Sequence, residues 1–331
     1  MGTIATHGPL SWRDASVLIT GGTGSFGHKF VETMLTTYHP RRLVILSRDE
    51  LKQSQMMAKF QAPSLRFFVG DVRDRDRLER AMHGVDLVFH AAALKQIPSC
   101  EYNPFAAIQT NVIGAENVIS AAIDQGVKRV ITISTDKAVN PINLYGATKL
   151  CAEKLFVQGN AYGYARGTVF GVVRYGNVIG SRGSVIPLFA AQRAEGKVTV
   201  TDSGMTRFWL ELEQGARFAI RCVEVMRGGE IFVPKIPSMR VMDLVEAVAP
   251  GCRVEFIGIR PGEKLHEVLI AEEEGRQALE FEDMFVLEPT YPSWAFKSPE
   301  GGKRPAAGFR YSSDTNSSWL SAAQMSELTH E

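Results

Sequence analysis

The sequence has few cysteines, no long apolar run and no excess of one charge, and each absence argues against a class of function. Its four cysteines are far apart and lack C-x-x-C spacing, which argues against a zinc site or a disulfide framework and favours a reducing cytoplasm. A net charge of +1 gives no reason to expect a nucleic acid or an acidic membrane as partner. The apolar stretches are interrupted well before the ~20 residues of a membrane helix, and the first residues do not resemble a secretory signal. We therefore expect a soluble, cytoplasmic protein without a metal site, a nucleic-acid partner or a membrane segment.

What the sequence does contain is a regular alternation of strand and helix patterns. Short β-rich apolar runs are separated by segments with helical spacing of apolar residues, which indicates βαβ units and a parallel sheet. The predicted strands are 16–20, 43–46, 65–69, 87–90, 129–134 and 168–175, and the predicted helices include 26–36 and 104–125. The predicted fold class is α/β, a Rossmann-type doubly wound parallel sheet with a smaller α/β substrate domain.

The chain length and a change of character near the middle predict two domains. The chain has 331 residues, and its second half is richer in proline, glycine and loops. Short strands are predicted there at 197–200 and 253–257, whereas a helix at 212–226 and a strand at 231–233 return to the first domain. We assign 15–176 plus about 206–233 to a cofactor-binding domain, and 177–205 plus 234–331 to a substrate-binding domain.

A glycine-rich turn follows the first predicted strand and opens the first predicted helix. Gly21 allows the tight turn, Gly24 lets the backbone approach a pyrophosphate, and Gly27 lets helix and strand pack closely. The helix N-terminus then holds the anion through its N–H groups and its dipole. Three glycines alone are weak evidence, but this strand–turn–helix setting predicts a dinucleotide site. The predicted site also includes the other residues of the turn, Thr23, Ser25 and Phe26.

The end of the second strand predicts which dinucleotide binds. NAD sites usually carry an acid there, ~20 residues after the glycine turn, that binds the ribose 2′-OH. This chain has Ser47 followed by Arg48 and, further on, Lys52, which suits the 2′-phosphate of NADP. NAD remains the alternative, in which Arg48 and Lys52 are surface charges and Asp49 binds the 2′-OH. Residues after the later strands are placed for the rest of the cofactor: Asp71, Val72, Ala91, Ala92, Ala93, Lys95 and Tyr175.

Residues 134–149 carry the chemistry. Tyr145 and Lys149 share a helix face, so the ammonium, helped by the charge of an oxidised nicotinamide, lowers the tyrosine pKa and a phenolate can act as base. This pair, after a strand that ends in Ser-Thr and downstream of the glycine turn, indicates a short-chain dehydrogenase/reductase. Asp136 and Lys137 add an acid and a second base that oxidation of an alcohol does not need. The alternative interpretation is a surface ion pair ahead of a turn.

Matching stretches from about residue 16 to 319 resemble the extended short-chain dehydrogenase/reductases that modify nucleotide sugars. More narrowly, they resemble the inverting UDP-N-acetylglucosamine 4,6-dehydratases of bacterial pseudaminic-acid pathways. The longest and most specific are STDKAVNPINLYGATK (134–149) and VPKIPSM (233–239). Others are GGTGSFG (21–27), SRDELKQSQM (47–56), HAAALKQIP (90–98), MTRFW (205–209) and IGIRPGEKLHE (257–267). The first 15 residues depart from the family.

The resemblance implies a lyase with tightly bound NADP that is recycled within each turnover. Tyr145 and the cofactor oxidise C4 of the sugar, which acidifies the C5 proton. Lys137 removes that proton, Asp136 protonates the C6 hydroxyl as it leaves as water, and Thr135 bonds the C4 oxygen. The hydride then returns to C6. The base role requires a neutral lysine, and we expect a closed, partly desolvated pocket to shift the Lys137 pKa in that direction.

The resemblance also implies the substrate, UDP-N-acetylglucosamine or a related nucleotide sugar. The candidates for the diphosphate are Arg182, Arg260 and Lys264, since arginine suits bidentate phosphate contacts. Glu263 is expected on the uridine ribose, and Asn177 on the diphosphate or the acetamido group. The alternative for each charged residue is an ordinary surface charge. The predicted substrate-binding residues are Lys95, Asn177, Arg182, Ser184, Arg260 and Glu263.

Other proteins of this fold remain as alternatives. A nucleotide-sugar 4-epimerase uses the tyrosine and lysine alone and has no use for Asp136 and Lys137. The further alternatives are a bifunctional dehydratase/5-epimerase, a dehydratase for another nucleotide such as GDP, and a non-catalytic NADP-binding protein. The resemblance implies a homo-oligomer, either a dimer or a hexamer.

Overall fold

The computed structural model describes residue 4, residues 10–181 and residues 184–330. The strands in chain order are β1 (Ser16–Thr20), β2 (Arg42–Ser47), β3 (Leu65–Val69), β4 (Leu87–His90), β5 (Arg129–Thr135), β6 (Val169–Tyr175), β7 (Asn177–Val178), β8 (Lys197–Val200), β9 (Thr206–Leu210), β10 (Ile231–Pro234), β11 (Ser238–Arg240), β12 (Arg253–Phe256), β13 (Val268–Ile270), β14 (Ala278–Glu280), β15 (Met284–Leu287) and β16 (Tyr311–Ser312). The helices are α1 (Ser25–Thr33), α2 (Glu50–Lys59), α3 (Arg75–Met82), α4 (Ile97–Tyr102), α5 (Pro104–Ile108), α6 (Gly114–Asp124), α7 (Leu144–Gly163), α8 (Val185–Arg193), α9 (Leu212–Val225), α10 (Val241–Val248), α11 (Glu272–Gly275) and α12 (Ala322–His330).

A nine-stranded sheet forms the centre of the molecule, in the order β14-β15-β10-β6-β5-β4-β1-β2-β3. Seven neighbouring strands of this sheet, β10, β6, β5, β4, β1, β2 and β3, are parallel, whereas β15 and β14 are antiparallel additions at the β10 edge. The strand order reverses between β1 and β4, and such sheets bind ligands at the carboxyl ends of the strands at that point. The predicted fold class is confirmed, and the predicted bounds of β1, β3 and β4 agree with the structure residue for residue.

Apolar strands and the helices packed on them make this sheet a buried layer. All residues of β1 and β4 are buried, as expected for parallel strands that are covered on both faces. Phe30 of α1 packs against Phe89 of β4, with ring centroids 4.5 Å apart. Phe156 of α7 packs against Phe170 of β6 at 6.1 Å. These contacts fix α1 and α7, the two helices that carry the predicted cofactor and catalytic residues, against the central strands.

A second, smaller core lies in the second half of the chain. The sheets β11-β9-β7 and β12-β8 surround it, together with α8, α10 and α12. Its buried residues include Phe189, Val198, Trp209, Met239 and Met325. The division of the chain into two domains stays a prediction. That division assigns β14 and β15 to the substrate domain, whereas in the structure they extend the large sheet beside β10. Their apolar side chains pack into the larger core, which accounts for their position.

Two predicted helices contain a π-helical turn that the apolar spacing did not indicate. The first ends in Met34–Tyr38, and the helix predicted at 104–125 is divided by Gln109–Ile113. In the second turn, the Asn111 side chain bonds both the N–H and the carbonyl of Leu94 and donates to the Thr148 hydroxyl. The turn therefore fixes the loop after β4 against α7. Over the described ranges, the structure has no helix that is both long and apolar enough to cross a membrane.

Candidate active site

A cavity of about 1170 Å³ opens at the carboxyl ends of the parallel strands and extends to the smaller core. Most of the predicted site residues line it: Gly21, Thr23, Gly24, Ser25, Phe26, Gly27, Ser47, Arg48, Lys52, Asp71, Val72, Ala91, Ala92, Ala93, Lys95, Thr135, Lys137, Tyr145, Lys149, Tyr175, Asn177, Ser184, Arg260 and Glu263. Asp136 lies behind this surface and is fully buried. Arg182 lies outside the described residues. The structure thus brings the predicted cofactor, catalytic and substrate residues to one place.

Two of the three glycines are required by the fold itself. Gly21 has a φ of +67°, and a Cβ there would lie 2.8 Å from Cα of Ala92. A Cβ on Gly27 would lie 2.1 Å from the carbonyl oxygen of Gly22. Gly24 differs, because its φ is −75° and the nearest neighbour of a Cβ would be the Gly21 oxygen at 3.3 Å. The missing side chain at Gly24 therefore matters most for the cavity surface.

The N-terminus of α1 lies in the same turn. Gly24 is its N-cap and has no side chain with which to cap the helix. An uncapped helix start offers backbone N–H groups and the positive end of the helix dipole to an anion. The turn and the helix start together fit a pyrophosphate.

The polar residues at the end of β2 and just beyond it differ in the hydrogen bonds and ion pairs that they already form. Ser47 is buried and accepts a hydrogen bond from Gln53. Asp49 caps α2 with one carboxylate oxygen, and its other oxygen pairs with Lys52 at 2.7 Å. The Arg48 side chain is 55% exposed and lies 3.7 Å from Asp71. Arg48 is therefore a more available partner for a bound group than Asp49, both of whose oxygens are engaged.

Tyr145 and Lys149 place their functional groups beside the end of β5. The Tyr145 hydroxyl is hydrogen-bonded to Thr135, and the Lys149 ammonium donates to the Ile133 carbonyl at 2.7 Å. Burial raises the pKa of Tyr145 to about 12, although the positive charge of Lys137 opposes this rise. Burial lowers the pKa of Lys149 to about 8. The protein alone therefore keeps Tyr145 protonated, and the predicted lowering of its pKa depends on a further positive charge.

Asp136 and Lys137 form a hydrogen-bonded pair directly after β5, in the 3₁₀ turn Asp136–Ala138. Lys137 Nζ donates to Asp136 Oδ1 at 3.0 Å, and Thr135 Oγ1 donates to the same oxygen at 2.8 Å. The Lys137 side chain is 24% exposed on the cavity, whereas that of Asp136 is 0% exposed. A surface ion pair, the alternative interpretation of these residues, is therefore ruled out by the burial of Asp136.

Three charges from the second half of the chain surround this pair. Glu267 Oε1 lies 3.7 Å from Lys137 Nζ and 3.8 Å from Arg207 Nε, and Glu267 Oε2 lies 3.8 Å from Lys264 Nζ. Burial alone would lower the pKa of Lys137, but Asp136 and Glu267 together outweigh burial and raise it. The prediction that the pocket lowers this pKa is therefore wrong, because it considered burial alone, whereas the attraction of Asp136, reinforced by Glu267, stabilises the ammonium.

Five buried polar atoms of residues at the site have no hydrogen-bond partner in the described part of the chain. Such atoms are uncommon in folded proteins and indicate a site for donors from a ligand or water. Ser184 and Glu263, both predicted to bind substrate, contribute two of them, and a sugar or ribose hydroxyl would satisfy each. The five are Thr110 Oγ1, Asp136 Oδ2, Ser184 Oγ, Glu263 Oε2 and Glu267 Oε2.

Arg207 and Glu267 line the cavity, but neither is among the site residues predicted from the sequence. One signal was available for Arg207, because it is a charged residue within a strand whose other residues are Thr, Phe, Trp and Leu. Both residues also lie in stretches that carry the family resemblance, MTRFW and IGIRPGEKLHE. Spacing could not indicate that Glu267 pairs with both Lys137 and Arg207, because the three residues lie far apart in the chain.

A buried ion-pair network supports the site from behind. Arg174 of β6 is fully buried and pairs with Glu153 of α7 at 2.6 Å and with Glu274 of α11 at 2.8 Å. Ser134, the neighbour of Thr135, donates to Glu153 at 2.5 Å. The network joins the strand that carries Thr135, the helix that carries Tyr145 and a helix from the second half of the chain.

The chain is similar to a known protein family and to relatives with different named activities. Residues 17–289 match the family model described as polysaccharide biosynthesis protein. A Campylobacter jejuni protein named UDP-N-acetylglucosamine 4,6-dehydratase (inverting) is 49% identical over 322 residues, which cover 95% of this chain and 96% of the relative. A Rickettsia conorii protein named UDP-glucose 4-epimerase is 42% identical over 325 residues, 95% of each chain. The X-ray structure of Pen from Bacillus thuringiensis is 40% identical with a TM-score of 0.89, covering 96% of this chain and 98% of that one.

Proposed function

The chain belongs to the polysaccharide biosynthesis protein family, and from this premise we propose that it is a UDP-N-acetylglucosamine 4,6-dehydratase that inverts C5. The observation that carries the proposal is the hydrogen-bonded Asp136–Lys137 pair beside Tyr145, at the cavity that the glycine turn also lines. The relative named for this reaction matches nearly the whole chain. The product would be a UDP-2-acetamido-2,6-dideoxy-hexos-4-ulose, formed with loss of one water.

The residues on the cofactor side fit a nicotinamide dinucleotide. The uncapped start of α1 and the bare surface at Gly24 suit its pyrophosphate. We infer NADP rather than NAD, because Arg48 is exposed where a 2′-phosphate is expected, whereas both carboxylate oxygens of Asp49 have partners. When bound, the nicotinamide would supply the hydride acceptor for oxidation at C4 of the sugar and, once reduced, the hydride donor for C6.

Tyr145 takes the proton of the C4 hydroxyl as C4 becomes a ketone. Its pKa of about 12 in the free protein favours the phenol, so it acts near neutral pH only where added positive charge stabilises the phenolate. Thr135 holds the tyrosine oxygen by a hydrogen bond. Lys149 lies one helical turn further along the same face of α7, and its lowered pKa lets it exchange a proton near neutral pH.

Asp136 and Lys137 then eliminate water across C5 and C6. The ketone acidifies the C5 proton, which the Lys137 amine accepts, while the C6 hydroxyl takes a proton from the Asp136 carboxyl and leaves as water. The reactive form of the pair is a neutral Lys137 amine with a protonated Asp136, and the resting form is a Lys137 ammonium with an Asp136 carboxylate. Both forms contain the same number of protons. Transfer of one proton along the 3.0 Å hydrogen bond converts the resting ion pair into the reactive form. Hydride addition at C6 then leaves an enolate, and its C5 takes a proton from solvent on the opposite face.

A UDP-glucose 4-epimerase, as the Rickettsia conorii relative is named, is the second candidate. Epimerisation needs oxidation at C4 and hydride return to the other face, for which Tyr145 and Lys149 suffice. It gives the Asp136–Lys137 pair no chemical role, although burying these charges carries a desolvation penalty. The pair therefore favours the dehydratase.

The finer features of the proposal rest on the family resemblance alone. They are a location in the cytoplasm, a dimer or hexamer of identical chains, and a place in pseudaminic-acid synthesis. A dehydratase/5-epimerase, a GDP-linked substrate and a non-catalytic NADP-binding protein remain as the other outcomes of the test.

Incubation with UDP-N-acetylglucosamine in D₂O, followed by mass spectrometry and NMR, tests the candidates together. We expect loss of one water, deuterium at C5 and inverted C5 geometry. A 4-epimer with unchanged elemental composition would contradict the proposal and identify an epimerase. Product with a mixture of C5 configurations would identify the dehydratase/5-epimerase. No turnover of this substrate would lead to the same assay with GDP-linked sugars, and no turnover of either would indicate a binding protein.

A further inference from the structure

The proposed mechanism gives no role to Glu267, although its carboxylate is buried next to the proposed base. The side chain is 3% exposed, and its Oε1 lies 3.7 Å from Lys137 Nζ. Its Oε2 has no hydrogen-bond partner within the described ranges. A buried carboxylate is costly unless charges and hydrogen bonds compensate it. The position of Glu267 therefore calls for a role beyond packing.

The backbone of Glu267 is fixed on both sides by one serine. Its N–H donates to Ser313 Oγ at 2.9 Å, and its carbonyl accepts from the Ser313 N–H at 2.8 Å. Ser313 Oγ also bonds the hydroxyl of Thr206 at 2.7 Å, and Thr206 begins the strand that carries Arg207. The carboxylate is therefore held beside Lys137 by its own backbone contacts, which do not depend on the lysine.

Two anchored cations contact the same carboxylate. Arg207 donates to the carbonyls of Thr206 and Leu265, and Lys264 donates to the carbonyl of Val139 at 2.5 Å. Each lies 3.8 Å from a Glu267 oxygen. Glu267 therefore pairs with three cations, and of these three only Lys137 is also hydrogen-bonded to Asp136.

We propose that Glu267 is a positioning residue for Lys137, which it holds in the charged form against Asp136 from the second half of the chain. The inference rests on the proposed function for the base role of Lys137 and deepens it. Glu267 opposes the loss of the Lys137 proton, whereas the cations around Glu267 favour it. Among the described residues, the charged and titratable groups that face Lys137 are Lys95, Asp136, Tyr145, Arg207, Lys264 and Glu267.

The proposal predicts changes of opposite sign for two substitutions. An opposite charge within ~4–6 Å typically shifts a pKa by about 1–3. Glu267→Gln removes an anion that raises the pKa of Lys137, so this pKa should fall by about one or more. Lys264→Met removes a cation that partly neutralises Glu267, so the pKa of Lys137 should rise.

Trace labelling of lysine amines with acetic anhydride measures this in the full-length protein without substrate. Only the neutral amine reacts, so a fall of one in the pKa makes labelling about tenfold faster at a fixed lower pH. Mass spectrometry of the peptide that contains Lys137 should show about tenfold faster labelling in Glu267→Gln and slower labelling in Lys264→Met. Glu267→Asp keeps the charge and should stay close to wild type. Glu272→Gln, an exposed acid nearby in sequence, is the matched control.

Comparison with the buried Lys149 separates charge effects from loosened structure. A variant that merely opens the fold should accelerate both Lys137 and Lys149, whereas the proposal predicts acceleration of Lys137 alone. Equal Lys137 rates in wild type, Glu267→Gln and Lys264→Met would overturn the proposal. The labelling test and the D₂O assay can fail independently, because labelling needs no turnover. Unchanged labelling in an active dehydratase would refute the role of Glu267. A shifted labelling rate in a protein without dehydratase activity would refute only the proposed function.

Discussion

The two sides of the cavity are built in different ways. The cofactor side consists of short contiguous segments at the ends of parallel strands, such as the glycine turn after β1 and residues 47–52 at the end of β2 and just beyond it. The strand order alone brings these segments to one edge of the sheet. The substrate side joins distant segments, 135–137, 207 and 260–267, through ion pairs and backbone hydrogen bonds. One side follows from topology, and the other depends on tertiary contacts of charged side chains.

The two sides also differ in the burial of their charges. Arg48 and Lys52 have side chains that are 55% and 45% exposed, whereas those of Asp136 and Glu267 are 0% and 3% exposed. Exposed ion pairs contribute little to stability, but removal of one partner from a buried pair typically costs ~3–5 kcal/mol. Removal of a charge on the cofactor side should therefore weaken binding, whereas removal of a charge on the substrate side should reduce catalysis or stability.

Removal of Lys137 should have the largest effect, with a loss of catalysis on the substrate side and no loss of binding on the cofactor side. Lys137→Ala is expected to slow water elimination by about 10²–10⁴-fold, the usual contribution of a general acid or base. NADP binding should persist, because the cofactor contacts lie on the other side of the cavity. Product formation is measured by mass spectrometry and NADP affinity by calorimetric titration. Elimination at the wild-type rate would contradict the base role.

Lys137→Arg separates the loss of chemistry from the loss of a buried charge. Arginine keeps a positive charge between Asp136 and Glu267, but its pKa above ~12 prevents it from acting as a base. We expect the same loss of activity as in the alanine variant, with a melting temperature closer to that of wild type. Lys128→Ala, in which an exposed and distant lysine is removed, is the control.

The same contrast explains which features the sequence could predict. The glycine turn, Tyr145 and Lys149 were identified because each belongs to a contiguous motif beside a strand, and the strand order determines where such motifs meet. The contact between Glu267 and Lys137 could not be identified in this way, because it depends on how β9 and the segment before β13 pack against the turn after β5. The error in the pKa of Lys137 has this origin only in part, because the adjacent Asp136 contributes the larger attraction and Glu267 adds to it. The strands β14 and β15 were missed because short apolar runs do not indicate which sheet edge they join.

The glycine turn should respond in two distinct ways. In Gly27→Ala, the new Cβ would lie 2.1 Å from a carbonyl oxygen, so we expect a loss of stability of about 1–3 kcal/mol or more. In Gly24→Ala, the nearest protein atom would be 3.3 Å away, so the fold should change little while the methyl group obstructs the pyrophosphate. Thermal melting and NADP titration distinguish the two variants. Equal stability losses would show that Gly24 serves packing, contrary to our interpretation.

The smallest expected effect concerns the choice between NADP and NAD. Arg48→Ala should weaken NADP binding by about tenfold, as expected when a charge-assisted hydrogen bond worth about 1.5 kcal/mol is lost, and should leave NAD binding nearly unchanged. Asp49→Ala is the matched variant, because a 2′-OH contact by Asp49 would make NAD binding fall there. Arg80→Ala, an exposed arginine on α3, is the control. If Arg48→Ala weakened both cofactors equally, Arg48 would bind a group that both share, and the preference for NADP would lose its structural basis.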